Sequence, residues 1–244
     1  MQNGYYSATG GMVTQFNRLD MVTNNLANVN TNGFKRDDVV IGDFLRIYKE
    51  FEDELPLRNH TKNSSQFLNR SLDRVPQIVE EYTDKSVGNF MQTDNPLDFA
   101  LNSDDYYFAI ETPEGVRYTR DGSFNISNNG TLVTKQGYPV LPREYFQNGQ
   151  YITLPENERS NVDRDGNIYI NDEVFTNIAT VRFKNDKYLQ KEGGNLIKSL
   201  REEDREIVEQ SGAVVQGFIE KSNVNAVNEM VALIETNRLV DMYS

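Results

Sequence analysis

The chain has 244 residues, no cysteine and a formal net charge of −12. That length allows one large domain or two small ones around a real core, and the missing thiols exclude disulfides and thiolate metal sites. The acidic balance argues against duplex nucleic acid as a partner, because phosphate binding needs a cationic face. No run approaches the ~20 apolar residues of a membrane span, so membrane insertion is not expected.

In chain order, Tyr5, Ala8, Met12, Phe16, Leu19, Val22 and Leu26 recur three or four residues apart. That spacing predicts one helix over residues 4–28 with an apolar stripe. Gly10-Gly11 weakens it by roughly 1 kcal/mol per glycine relative to alanine, so the helix is expected to depend on packing against something else. The run Asn24-Asn25-Leu26-Ala27-Asn28-Val29-Asn30-Thr31-Asn32-Gly33-Phe34-Lys35-Arg36 closes it, since asparagine tolerates and glycine freely adopts the left-handed conformation. The first residues show no basic segment with an apolar stretch and a small-residue cleavage site, so no ordinary secretory signal is expected.

Residues 37–90 read as a polar connector, acidic at Asp37, Asp38, Asp43, Glu50, Glu52, Asp53 and Glu54. Strands are predicted at 75–82 and 87–91. From 97 to 178 the period shortens from near 3.6 to 2. Short aromatic or β-branched runs at 107–110, 116–118, 124–126, 131–134 and 168–170 alternate with Pro113-Glu114-Gly115, Asp121-Gly122, Asn129-Gly130, Gln136-Gly137, Asn148-Gly149 and Asp165-Gly166. These are hairpin-turn signals. Residues 192–212 look loop-rich and charged, and 214–219 read as a last strand. Ser222 or Asn223 is placed to cap a final helix carrying the stripe Val224, Val227, Val231 and Ile234.

The fold expected is therefore mainly β with terminal helices. An antiparallel β domain, sandwich- or barrel-like, occupies 91–220; the N-terminal helix (1–36) and the C-terminal helix (221–244) are suited to pair as a coiled coil or to serve partners. The stripes fit either an ordinary core or intermolecular packing. Arg238 interrupts the second one, as a snorkelling end or as an ion-pair choice that sets register.

Candidate chemical sites are few. Asp163-Arg164-Asp165-Gly166-Asn167 alternates oxygen ligands as a calcium loop does, but Ile168 stands where glycine is required and Val174 where a bidentate glutamate is required. A hairpin turn is the better reading. His60 is the single histidine and lies in the polar connector, which leaves no catalytic triad or histidine metal site. Paired carboxylates such as Asp37-Asp38 and Asp104-Asp105 are not set across a cleft. There is no glycine-rich phosphate loop, and no cofactor is expected. The triplets at Asn59, Asn63, Asn69, Asn125 and Asn129 fit chance in an asparagine-rich chain better than glycosylation.

The motif Asn25-Leu26-Ala27-Asn28-Val29-Asn30-Thr31-Asn32-Gly33-Phe34-Lys35 resembles the N-terminal signature of the bacterial flagellar basal-body rod and hook family. Glu220-Lys221-Ser222-Asn223-Val224-Asn225-Ala226-Val227, followed by Glu229-Met230, resembles its C-terminal signature. Asn95-Pro96-Leu97-Asp98-Phe99-Ala100, Arg117-Tyr118-Thr119-Arg120-Asp121-Gly122-Ser123-Phe124 and Gly130-Thr131-Leu132-Val133 match its central motifs in the same order. The resemblance implies a non-enzymatic structural subunit whose terminal helices build an inner tube, with Tyr5, Met12, Phe16, Leu19, Leu26, Val224, Val227, Val231 and Ile234 at subunit interfaces. The β domain would stand outside, and many copies would stack helically into a torque-transmitting shaft. Implied partners are copies of the chain, other rod and hook proteins and the flagellar export apparatus. The implied location is the periplasmic rod, reached from the cytoplasm without a cleaved signal. Within the family, Met1 to Ala8 and Ser222 to Met230 resemble the proximal-rod member, and residues 26–36 and 118–124 fit the distal-rod member equally. A connector without Gln/Gly/Pro-rich character favours the proximal one. Two features depart from the pattern. Ser103-Asp104-Asp105 replaces a glycine-rich turn, and the family's last helix usually continues past the point matching Met242-Tyr243-Ser244. The reading from a different class is a β-domain module that binds a glycan or surface ligand and oligomerises through its terminal helices.

Overall fold

The 3.6-residue apolar period at the N-terminus produces helix α1 (Gln2–Ala27). The computed structural model describes residues 2–43, 76–155, 160–210 and 212–243; the readings for 44–75, including His60, Asn59, Asn63 and Asn69, lie outside the described residues. The chain divides into two compact units, the first from residues 1–28, 36–84 and 224–244, the second from 29–35 and 85–223.

In the first unit the stretch read as a polar connector is bounded by two paired strands, β1 (Asp37–Asp43) and β2 (Pro76–Thr83). They run antiparallel from Asp37 opposite Thr83 to Asp43 opposite Pro76, with a bulge between Val40 and Ile41. β-Branched Val39-Val40-Ile41 and Ile78-Val79 outweigh the acidic flanks, because a pleated surface favours such side chains. Helix α2 (Ala226–Tyr243) ends the chain's described part. Its cap is Asn225, not Ser222 or Asn223: the Asn225 Oδ1 accepts from the Val227 and Asn228 amides at 3.0 and 3.2 Å. α1 lies against α2, β1 and β2. It stops where the Asn28 amide turns back to the Asn24 and Asn25 carbonyls, and the Asn28 side chain donates to the Asn24 carbonyl at 2.9 Å. Gly33, expected to help end this helix, lies five residues further on and has another task, described below.

The second unit is built on β5 (Tyr107–Thr112) and β6 (Gly115–Thr119). Around this hairpin grows a six-stranded antiparallel sheet. Its outer members are β12 (Thr180–Phe183), β13 (Leu189–Glu192), β14 (Leu196–Ser199) and β15 (Arg205–Val208), in the order β13-β14-β6-β5-β12-β15. β5 is covered on both faces: Phe108 and Ile110 enter one core with Phe99, Phe124, Leu132 and Ile178, while Tyr107 and Ala109 enter another with Tyr118, Val181 and Phe183. A strand buried on both sides reads as a continuous apolar run rather than an alternation.

Shorter strands complete the unit. β3 (Phe90–Gln92), β4 (Phe99–Leu101), β7 (Phe124–Ile126) and β8 (Leu132–Thr134) come from its first half, and β9 (Ser160–Val162), β10 (Asn167–Ile170) and β11 (Glu173–Asn177) form a three-stranded sheet. Asp121-Gly122 joins β6 to β7 instead of closing a hairpin, since β7 pairs with β8. The stretch read as loop-rich holds β14 and β15. The single last strand expected at 214–219 breaks at Gly217 into β16 (Val214–Gln216) and β17 (Phe218–Glu220), which pair with β4 and β3 respectively.

The Asp163 segment is the hairpin turn between β9 and β10. Asp163 accepts from the Asp165 and Asn167 amides at 2.9 and 2.8 Å and from the Asn167 side chain at 2.8 Å. Burial opposes its charge, but these hydrogen bonds prevail and hold its pKa below the ordinary 3.8. A carboxylate with a depressed folded pKa adds stability that is full above its unfolded value and disappears as pH falls through the folded one. Asp163→Asn is therefore expected to shrink the difference between the urea midpoints at pH 7 and pH 3. An unchanged difference would show that other carboxylates carry the acid sensitivity.

Candidate assembly surface and buried ion cluster

In the first unit, Asn25 on the last turn of α1 is fully buried. Its amide donates to the Asp37 carbonyl at 2.8 Å and its oxygen accepts from the Asp37 amide at 3.0 Å. A side-chain amide thus imitates a strand partner and ties the helix end to the start of β1. The Asp37 carboxylate takes the Thr83 hydroxyl at 2.6 Å. Arg36 reaches Asp38 at 2.7 Å and the buried Glu229 of α2 at 2.5 Å. Burial works against the Arg36 charge, but the hydrogen bonds to Glu229 and Asp38 outweigh it and hold its pKa above the ordinary arginine value. The acidic pair Asp37-Asp38 therefore does structural service.

The helices turn small and polar residues inward. Thr14, Gln15, Val22 and Asn25 of α1 and Glu229 and Thr236 of α2 are buried. Thr14 and Thr236 each donate to the carbonyl four residues earlier, at 3.0 and 2.7 Å, so their hydroxyls are satisfied without a partner helix. Of the stripe residues singled out in the sequence, Val22 and Val224 are buried within the chain and Met12, Leu19 and Leu26 are half-buried. Phe16 is exposed; so are Val227 at 68%, Val231 at 50% and Ile234 at 53%. The Tyr5 side chain lies outside the described residues. Sequence reasoning missed Val13 and Met230, also exposed at 54% and 51%, although both fall within one turn of the stripe. α2 thus offers a row of apolar side chains to solvent.

The second unit holds a buried ion cluster made by the rest of the signature residues. Glu220, at the end of β17, has a fully buried carboxylate. One oxygen accepts from Lys35 Nζ at 2.5 Å and from the Gly88 amide at 2.8 Å. The other takes Arg120 Nε at 3.0 Å and Nη2 at 2.8 Å. The remaining Arg120 donors go to the carbonyls of Leu101 at 3.2 Å, Tyr106 at 2.7 Å and Ser103, and Lys35 also reaches the Ser86 carbonyl at 2.6 Å. All five guanidinium N–H groups are placed, which is the condition for burying arginine. Gly33 sits beside this cluster at φ +67°, its amide on the Glu220 carbonyl at 2.8 Å. Phe34 lies under the Lys191 ammonium, 4.7 Å from the ring centroid. The motif residues Gly33, Phe34 and Lys35 were legible as a group; that Glu220 and Arg120 are their partners was not.

This arrangement holds segments in place and presents an apolar face. Burial, then the hydrogen bond to Glu202, push the Tyr118 phenol above its ordinary pKa. Among the described residues no group of three His, Asp or Glu side chains could hold a metal ion.

Comparison with known proteins gives three matches in chain order. Residues 6–35 match the family described as flagella basal body rod protein, residues 103–170 the flagellar hook protein FlgE/F/G D1 domain, and residues 215–244 the flagellar basal body rod FlgEFG protein C-terminal. The chain is 34% identical to the flagellar basal-body rod protein FlgG of Borreliella burgdorferi, over 100% of this chain and 93% of that protein. It is 33% identical to FlgG of Buchnera aphidicola subsp. Schizaphis graminum, over 98% and 92%. To the flagellar basal-body rod protein FlgF of Mesorhizobium japonicum it is 31% identical, over 98% and 89%. Relatives of both names match at nearly the same identity.

Proposed function

The chain belongs to the flagellar basal-body rod protein family, and from that membership we propose how its terminal helices work. It is a structural subunit of the rod in the flagellar basal body, not an enzyme, and among the described residues no helix is long and apolar enough to cross a membrane. In the proposed reading α1 and α2 pair as a coiled coil. The stripe residues Tyr5, Met12, Phe16, Leu19 and Leu26 of α1, and Val227, Val231 and Ile234 of α2, pack against other copies and other rod and hook proteins to form an inner tube. Val224, already buried, seats the start of α2. The second unit is the outer β domain, sandwich-like. The chain passes through the flagellar export apparatus, and the finished stack transmits torque.

The observation that carries this reading is the outward apolar face of α2, at Val227, Val231 and Ile234. Single exposed apolar residues are ordinary; a contiguous row on one helix face points to a partner.

Val231→Asp tests it. Half-exposed Val231 contributes little to the fold of one chain, so the variant should stay soluble and melt within a few degrees of the parent. In an assembled seam the carboxylate would be buried without a partner, and cells carrying it should be non-motile. Val231→Ile, which keeps the seam apolar, should remain motile. A stable, fully motile Val231→Asp strain would refute the interface, and an unfolded variant would place Val231 in the core of the free chain instead.

A further inference from the structure

Methionine carries all the sulfur in this chain, six residues against no cysteine. Met230 and Met242 stand exposed on α2, at 51% and 79%, whereas Met12 and Met21 on α1 are half-buried. Met230 lies in the outward stripe itself, one turn after Val227, one turn before Ile234 and next to Val231. A thioether is apolar and adaptable and suits such a face. Its sulfoxide is polar and needs a hydrogen-bond donor, and the side chains of Val227, Val231 and Ile234 have none.

We propose that Met230 is an oxidation site at which hydrogen peroxide switches subunit association off before the stripe is covered. The proposal rests on the reading of the stripe as a subunit interface. In the step, Met230 Sδ donates an electron pair to one peroxide oxygen. The S–O bond forms as the O–O bond breaks; the transferred oxygen's proton passes to the departing hydroxide, which leaves as water. Sulfur is oxidised by two electrons and the peroxide reduced by two, so no further reactant is needed. The product carries its dipole into the apolar row in every oxidised copy, and burying an unpartnered polar group opposes packing. Once copies pack over the stripe, the same sulfur is out of reach, so the switch acts on free chains only.

The test uses the full-length chain treated with hydrogen peroxide. Peptide mapping by mass spectrometry should find Met230 and Met242 oxidised several-fold faster than Met12 and Met21. Sedimentation, over concentrations that take the untreated chain from monomer to polymer, should show association weakened about tenfold, the scale of one uncompensated polar group. Methionine sulfoxide reductase should restore it. Met230→Leu should associate normally after the same treatment although Met242 is still oxidised. Met230 reacting no faster than Met12, or Met230→Leu weakened as much as the parent, would overturn the switch. Normal association of chains carrying the sulfoxide at Met230 would also overturn it, and if Val231→Asp still fails to associate, the interface itself survives. Val231→Asp associating like the parent would remove interface and switch together.

Discussion

Glu220→Ala should cost this protein about 3–5 kcal/mol, the range for removing one partner of a buried ion pair. The carboxylate is fully buried, and two cations, Lys35 and Arg120, converge on it. Deleting it leaves both in a dry site with carbonyl oxygens as neighbours and removes the acceptor of the Gly88 amide. With total stabilities of about 5–15 kcal/mol, the loss is a large fraction of the whole, and the melting temperature should fall by roughly 10–15 °C. With no tryptophan in the chain, near-UV circular dichroism of the tyrosines is the signal to follow in denaturant. Charge is the cause assigned, so the sign of a second change is informative. Lys35→Met should destabilise the parent but stabilise the Glu220→Ala variant, because there it removes an orphaned cation. A Glu220→Ala cost below about 1 kcal/mol, the level of an exposed ion pair, would show that the cluster is hydrated and its burial unimportant.

Gly33→Ala should be nearly as damaging, for a different reason. A Cβ built on Gly33 would lie 2.5 Å from the Arg120 carbonyl carbon and 2.6 Å from the Asp121 amide nitrogen. Both neighbours are backbone, so neither can swing aside. Left-handed backbone costs an alanine about 1–2 kcal/mol, and forcing atoms into filled space typically adds about 1–3 kcal/mol. Gly137 separates these two contributions: its φ is +88°, but a Cβ there would meet nothing within 4 Å. Gly137→Ala should therefore show the conformational cost alone, and Gly33→Ala should exceed it by at least about 1 kcal/mol in urea unfolding. Equal costs for the two would mean that the backbone around Arg120 yields, and that the motif keeps glycine for its dihedral angle only.

Much of the architecture was legible because it is locally encoded. α1 follows from apolar spacing, and β5, β6, β7 and β10 follow from β-branched and aromatic runs between turn dipeptides. The turn at Asp163 was readable because a calcium loop needs particular residues at fixed positions and two of them are wrong. The β10–β11 turn, with Asn171 and Asp172 at φ +53° and +67°, carried a weaker form of the same signal, since these residue types tolerate the left-handed region without glycine. β14 and β15 were obscured by charge and by the lack of a period of two: Leu196 and Ile197 are adjacent, as are Arg205 and Glu206, and neither strand alternates apolar with polar residues.

What the tertiary structure alone decided is which groups meet. Lys35, Arg120 and Glu220 are separated by 85 and 100 positions, and nothing in local composition distinguishes this glutamate from the other carboxylates of an acidic chain. The direction of the helix stripes is the second such decision. Periodicity finds an apolar face, but whether that face turns to the chain or to solvent depends on what else fills the space beside α1. Here polar residues fill part of it: Thr14 and Thr236 bond to their own helices, Asn25 to the backbone of Asp37, and one oxygen of Glu229 to the guanidinium of Arg36, while Gln15 Oε1 and the second Glu229 oxygen are buried without a hydrogen bond among the described residues. The sequence thus determined that apolar stripes exist, and the tertiary pairing of polar residues decided that the row Val227, Val231 and Ile234 of α2 faces outward while Val22 of α1 is buried.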